Sequence, residues 1–219
     1  MLYDFHTHTF LSDGVLSPAE QIRRAVANGY AGIGITDHVG VGTMATALAQ
    51  ASEDCALAKA HWGIDAVPGV ELTHVPAASV AQLARRAKEM GAKLVVVHGE
   101  TVVEPVERGT NLAALQSPDV DILAHPGLIT PDELRLAATN GKFIEISARA
   151  GHSLTNGYIV QQGRAAGVKF LLNSDAHAPR DLLTAGFARL VALGAGLTEE
   201  EMHEVLELNP KLLLGRLRD

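Results

Sequence analysis

Several things that mark out large protein classes are scarce in this sequence. Its 219 residues include one cysteine, Cys55, so no intramolecular disulfide can form and a reducing compartment is expected. No apolar run approaches the roughly 20 residues of a membrane span. Residues 1–10 carry Asp4, His6 and His8 where an export signal needs basic and then apolar residues. Together these predict a soluble cytoplasmic protein without a membrane partner. A basic surplus is missing as well. There are 18 Lys and Arg against 25 Asp and Glu, a net charge of −7 with His neutral, which argues against gripping a nucleic-acid backbone as the main task. No Pro/Ser linker, composition shift or low-complexity tract divides the chain, so one domain over residues 1–219 is expected.

What the chain does have is a regular alternation. Short β-rich runs at 2–6, 31–36, 66–72, 93–98, 121–125, 143–147 and 169–173 are separated by longer helical stretches. Runs such as Leu94-Val95-Val96-Val97 are apolar throughout, as parallel strands covered on both faces require. Helices are predicted over 18–28, 43–61, 79–90, 131–139, 156–166, 180–193, 198–206 and 210–217. Capping-box patterns start at Ser17, Thr130 and Thr198. Seven β/α units imply a parallel sheet with helices outside, either an open doubly wound sheet or a barrel. No G-x-G-x-x-G follows the first strand, which weakens the nucleotide-binding open sheet. The expected fold is a distorted (β/α)7 TIM-like barrel.

Histidine is the unusual residue: ten, against three Tyr, one Trp and five Phe. Six fall at or just past predicted strand ends: His6, His8, His38, His98, His125 and His177. Asp13, Glu71 and Asp175 occupy matching places. In a parallel barrel those ends converge on one mouth. His6/His8 and Asp175/His177 are i, i+2 pairs, so extended backbone points both members the same way. Imidazoles beside carboxylates, with no thiolate, suit zinc, manganese or iron in a hydrolytic site. Nine ligands exceed the needs of one ion and would serve two or three. A single strand-end histidine is more often hydrogen-bonded core than ligand; six with three interleaved acids are hard to read that way. His61 and His203 read as helix-end or helix-surface residues, whereas His74 and His152, on loops after the third and sixth strands, are candidates to line a substrate pocket.

The motifs Asp4-Phe5-His6-Thr7-His8, Ser12-Asp13-Gly14, Ile35-Thr36-Asp37-His38, Gly69-Val70-Glu71, Val97-His98-Gly99, Ala124-His125-Pro126 and Ser174-Asp175-Ala176-His177 resemble the series of the PHP (polymerase and histidinol phosphatase) superfamily, in order and over nearly the whole chain. The resemblance implies a distorted seven-stranded barrel and a centre of three divalent ions. His6, His8, Glu71 and Asp175 would hold one ion, with Glu71 bridging to a second held by His98 and His125. Asp13, His38 and His177 would hold the third.

Three divalent ions against three carboxylates and a bridging hydroxide leave two positive charges, well matched to a phosphate monoester dianion. The expected function is therefore a metal-dependent phosphoesterase acting on a small phosphorylated metabolite or nucleotide. An activated water would attack phosphorus, with Asp175 taking its proton and His177 a weaker candidate for protonating the leaving oxygen. Arg149, in Glu145-Ile-Ser-Ala-Arg149, is the candidate phosphate clamp, weighed against pairing with Glu145 or solvent. Arg180 either caps a helix start or reaches the pocket. Two other classes are weighed: a metal-dependent C–N hydrolase, since related barrels carry His-x-His sites, and a non-catalytic or proofreading module. Cys55 reads as a small buried filler, and Arg85-Arg86-Ala87-Lys88 as a solvated helix face.

Overall fold

A computed structural model describes residues 1–218. In chain order the elements are β1 (Leu2–Asp4), α1 (Pro18–Ala27), β2 (Tyr30–Ile35), β3 (His38–Val39), α2 (Met44–Trp62), β4 (Asp65–Leu72), α3 (Val80–Glu89), β5 (Leu94–His98), α4 (Thr110–Gln116), β6 (Ile122–Ala124), α5 (Pro131–Thr139), β7 (Phe143–Ser147), α6 (Asn156–Ala166), β8 (Lys169–Asn173), α7 (Ala185–Gly194), α8 (Glu199–His203) and α9 (Asn209–Arg218). Seven strands run parallel in the order β1-β2-β4-β5-β6-β7-β8, and the two-residue β3 pairs with the end of β4. Just past β1 and β8 the backbone bridges Thr7 to Ala176. Asp175 N–H donates to His6 O at 3.0 Å and His8 N–H to Ala176 O at 2.8 Å. These bonds make the sheet a nearly closed barrel, as expected of seven β/α units.

Two apolar masses support it. The larger lies between the strands and the surrounding helices, where Val70, Val95, Val97, Leu123, Ile144 and Ile146 meet residues such as Ile22, Leu48 and Leu134. The smaller fills the lower barrel with Tyr3, Phe5, Val67, Leu94, Val96, Ile122, Phe143 and Leu171, and Leu213 and Leu214 of α9 join it. Strand residues alternate between these two masses, as the pleat requires. Continuing the inward series upward reaches Glu71 four residues after Val67, His98 four after Leu94 and Glu145 two after Phe143. The same faces that are apolar below become titratable above.

Several boundaries differ from the sequence-based expectation. Ser17 caps α1 by accepting from Glu20 N at 3.1 Å, but the Glu20 carboxylate binds Arg24 rather than closing a capping box. Thr130 and Thr198 do form full boxes. α4 has no counterpart in the predicted helices; it starts at Gly109 with no side-chain cap, so its start leaves no local signal. Residues 179–181 are a 3-10 turn, and α7 begins only at Ala185, capped by Thr184. Toward the C-terminus α8 runs through a wide π turn, Glu204–Leu208, directly into α9. Pro210 accounts for this: it has no N–H, and its ring crowds the carbonyl four residues back, so a widened turn carries the chain past it.

Candidate metal centre

The mouth of the barrel gathers six imidazoles from five strand ends. Ring centroids step from His6 to His8 (4.9 Å), from His8 to His38 (4.0 Å) and His177 (4.3 Å), and from His38 to His98 (6.1 Å). From His98 they continue to His125 (4.4 Å). Glu71, fully buried at the end of β4, is the hub. Its Oε1 lies 3.3 Å from His6 Nε2 and 3.7 Å from His125 Nε2; its Oε2 lies 2.5 Å from His38 Nδ1 and 3.7 Å from His8 Nε2. Asp175 Oδ1 lies 3.1 Å from His8 Nε2. At the rim, Asp13 Oδ1 is 3.1 Å from His177 Nε2 and 3.6 Å from His38 Nε2. All nine residues expected to ligate metal therefore share one cleft.

Local structure holds these groups in place. Asp37 accepts from Thr9 N, Thr9 Oγ1 and Ser12 Oγ at 2.7, 2.8 and 2.7 Å, tying down the loop that carries His8 and Asp13. In the same loop Gly14 sits so close that a Cβ would lie 2.3 Å from His8 O. His74, His125 and Asp175 are the non-glycine residues with positive φ among those described, at 51°, 26° and 53°. That backbone is costly for L-residues, and such strain clusters at functional sites.

Electrostatics divide the cluster. Burial, reinforced by neighbouring imidazoles, holds His8 and His125 well below the usual histidine range, and burial also lowers His98. Burial lowers His152 to about 4. These rings stay neutral at pH 7 and keep a lone pair to offer. For His6, burial is opposed by Glu145, Glu71 and Asp175, which raise it well above the usual value. His38 is raised in the same way, chiefly by Glu71. Glu71 is held low against its burial by His6 and His38, whereas burial pushes Asp175 up to about 7. Hydrogen bonding to His177 lowers Asp13.

The donor set fits divalent cations. Among the described residues, His6 Nε2, His8 Nδ1 and Nε2, Glu71 Oε1, His125 Nδ1 and Asp175 Oδ1 are buried without a hydrogen-bond partner. So many unsatisfied buried donors and acceptors in one place are costly unless something else engages them. Ligand atoms of His6, His8 and Asp175, of His6, Glu71 and His125, and of His8, Asp13, His38 and His177 lie within 4.8 Å of one another in each group.

The expected substrate contacts are dispersed. Arg149 lines a cleft of about 410 Å³ together with Asp13, His38, His98 and His177. Its Nη1 donates to Asp175 O at 3.1 Å and approaches His177 Nδ1 at 2.8 Å, and Glu145 is not its partner. Glu145 instead meets His6 Nδ1 at 2.7 Å, fully buried, and accepts from Asn173 Nδ2. Arg180 points away: its side chain is 89% exposed and faces Asp181, at the edge of an adjoining cavity. His74 lies at the cleft mouth and is partly exposed. His152 is buried, stacked on His125 at 4.0 Å. Two site residues were not anticipated. Glu145 follows from strand alternation, two positions after inward Phe143. Glu104 sits on the loop after β5, against His74 and His98, and has no strand-end signal.

The PHP domain family pattern matches residues 4–99. A probable phosphatase of Thermoanaerobacter pseudethanolicus is 30% identical over 218 residues, covering 91% of this chain and 89% of that protein. The chain belongs to the PHP domain family. An uncharacterized protein of Methanocaldococcus jannaschii is 47% identical over 99% of this PHP chain and 100% of its own length. Among solved structures, a chain of archaeal ribonuclease P with mature tRNA superposes with a TM-score of 0.74 at 16% identity, covering 99% of this chain and 93% of that one. The histidinol phosphate phosphatase of Lactococcus lactis, complexed with zinc, L-histidinol and phosphate, superposes with a TM-score of 0.63 at 17% identity, over 90% and 94%. At those identities the likeness is one of fold. No helix among the described residues is long and apolar enough to cross a membrane.

Proposed function

We propose that this PHP domain is a metal-dependent phosphoesterase that releases phosphate from a small phosphorylated metabolite or nucleotide. The observation that carries the reading is the Glu71 hub: one buried carboxylate within 3.7 Å of four imidazoles, beside a cleft lined by Arg149. The relatives named as phosphatases support the same class. In this reading three cations are held by His6, His8, Glu71 and Asp175; by Glu71, His98 and His125; and by Asp13, His38 and His177. Bound divalent ions would supply a water activated near neutral pH and charge to offset the phosphoryl oxygens. The protein's own groups do the rest. Asp175, ionised where it holds a cation, offers its other carboxylate oxygen to take a proton from the attacking water. Glu145 accepts from His6 Nδ1 and fixes that ring. Arg149 offers a guanidinium to the substrate's oxyanions and steadies His177.

The test is release of phosphate from p-nitrophenyl phosphate, histidinol phosphate and nucleoside monophosphates by protein loaded with zinc, manganese or iron. Turnover that disappears in Asp175→Asn supports the reading. A fully loaded protein that turns over none of these esters overturns it.

A further inference from the structure

Two residues outside the nine converge on the β5–β7 side of the cleft. Glu104 places Oε2 at 3.2 Å from His98 Nε2 and Oε1 at 3.4 Å from His152 Nε2. His152 comes from the 3-10 turn His152–Thr155 after β7. It is 4% exposed, and its ring lies nearly parallel to that of His125, 16° apart. Its Nδ1 lies 2.7 Å from Thr101 Oγ1. With Nδ1–H donated to that hydroxyl, Nε2 keeps its lone pair and aims it at Glu104 and at Asp175 Oδ2, 3.7 Å away. One ring nitrogen fixed by a hydrogen bond and the other pointed at carboxylates is how metal-binding histidines are oriented. Ligand atoms of His98, His125 and His152 lie within 4.8 Å of one another. Glu104 meets the two histidines through different carboxylate oxygens, at 3.2 and 3.4 Å, spacings usual between neighbouring ligand atoms on one ion with bonds of about 2.0–2.1 Å.

We propose that Glu104 and His152 are metal ligands, joining Glu71, His98 and His125 in a set of three imidazoles and two carboxylates that holds a zinc-like cation. This rests on the reading of the cleft as a metal centre. It makes His152 a ligand and not a substrate contact, and it gives the two sides of the centre unequal grips. The β5–β7 position has a nitrogen-rich set that favours zinc over manganese: its three imidazoles are buried, and the Glu104 side chain is 37% exposed. The opposite position relies on Asp13, whose side chain is 58% exposed. A chelator therefore strips the ions in sequence, and the one held by Glu104 and His152 leaves last.

The experiment titrates the zinc-loaded protein with a chelator of known affinity and counts the zinc retained per chain by elemental analysis. Circular dichroism follows the fold. Wild type is expected to keep one equivalent after the rest has gone. Glu104→Gln, a change on a loop, is expected to release that equivalent at a free-zinc level at least about tenfold higher. His152→Phe preserves the ring stack on His125 and is expected to do the same. Retention of the last equivalent by a folded Glu104→Gln variant at the wild-type level overturns the proposal, whatever His152→Phe does. Wild type that binds no zinc at all would instead remove the metal-centre reading beneath it.

Discussion

The floor and the mouth of this barrel are opposite ends of the same strands, and they follow opposite rules. Below, Leu94, Val96, Ile122 and Phe143 are fully or almost fully buried and need no partner but one another. Arg216 covers that end, with its guanidinium 5.0 Å from the Phe143 ring and a hydrogen bond to Gly141 O. Above, burial is as deep, but the buried groups are imidazoles and carboxylates, several without hydrogen-bond partners. Apolar burial stabilises the fold directly; burial of unpaired polar groups opposes it. The apolar packing of the floor and of the helix shell thus holds an unfavourable cluster in place at the mouth.

The sharpest way to break this division is at the hub. Glu71→Gln is expected to lower phosphoester turnover about a thousandfold and to lower metal content, with the far-ultraviolet circular dichroism unchanged; wild-type activity in that variant would remove Glu71 from the centre. Leu94→Ala, at the floor, should do the reverse. Denaturant unfolding is expected to show a loss of about 2–5 kcal/mol while the number of metal ions bound per chain stays the same.

A third prediction concerns protons. Burial raises the Asp175 carboxyl to about 7, against roughly 3.9 when unfolded. The folded metal-free protein therefore holds this proton more tightly than the unfolded chain. The Asp175 contribution to its stability is greatest at low pH and falls as pH rises from about 4 to about 7. Cation binding needs the carboxylate, so metal affinity should rise with pH over the same interval. Calorimetric titration with zinc in buffers of different ionisation enthalpy measures the proton released, and Asp175→Asn should lower that number. An unchanged proton count in the variant would show that Asp175 does not give up its proton.

The smallest expected effect is at Arg149. Arg149→Ala should raise KM about tenfold, the worth of a charge-assisted hydrogen bond, without changing metal content. A loss of metal in place of a raised KM would assign Arg149 to holding His177 and Asp175 instead of substrate.

Much of the barrel could be read from the chain because its strands are short apolar runs bounded by good helix signals; the bounds of β7, α6 and β8 match the sequence reading. α4 escaped because it begins at a glycine without a capping side chain. The π turn escaped because its cause, Pro210, reads locally as the start of a new helix. At the site, residues in fixed positions after a strand were legible, since β/α geometry alone aims them at the mouth. Glu104 was not. It lies six residues past His98, in a loop whose path depends on distant bonds, such as Glu100 N–H donating to Asn111 Oδ1 and Asn111 Nδ2 donating to Pro126 O. The depth of His152 was equally hidden, because it is set by the stack on His125 and by Thr101.

The seam between β1 and β8 has a consequence for how this protein comes into being. Phe5 N–H bonds to the Asn173 side chain across 168 positions of sequence, and Asp175 N–H reaches back to His6 O. On the ribosome, the His6-Thr7-His8 segment must wait for residues some 168 positions later to emerge before its neighbours exist. Such long-range closure slows folding, so cations would meet a finished pocket only late in biosynthesis.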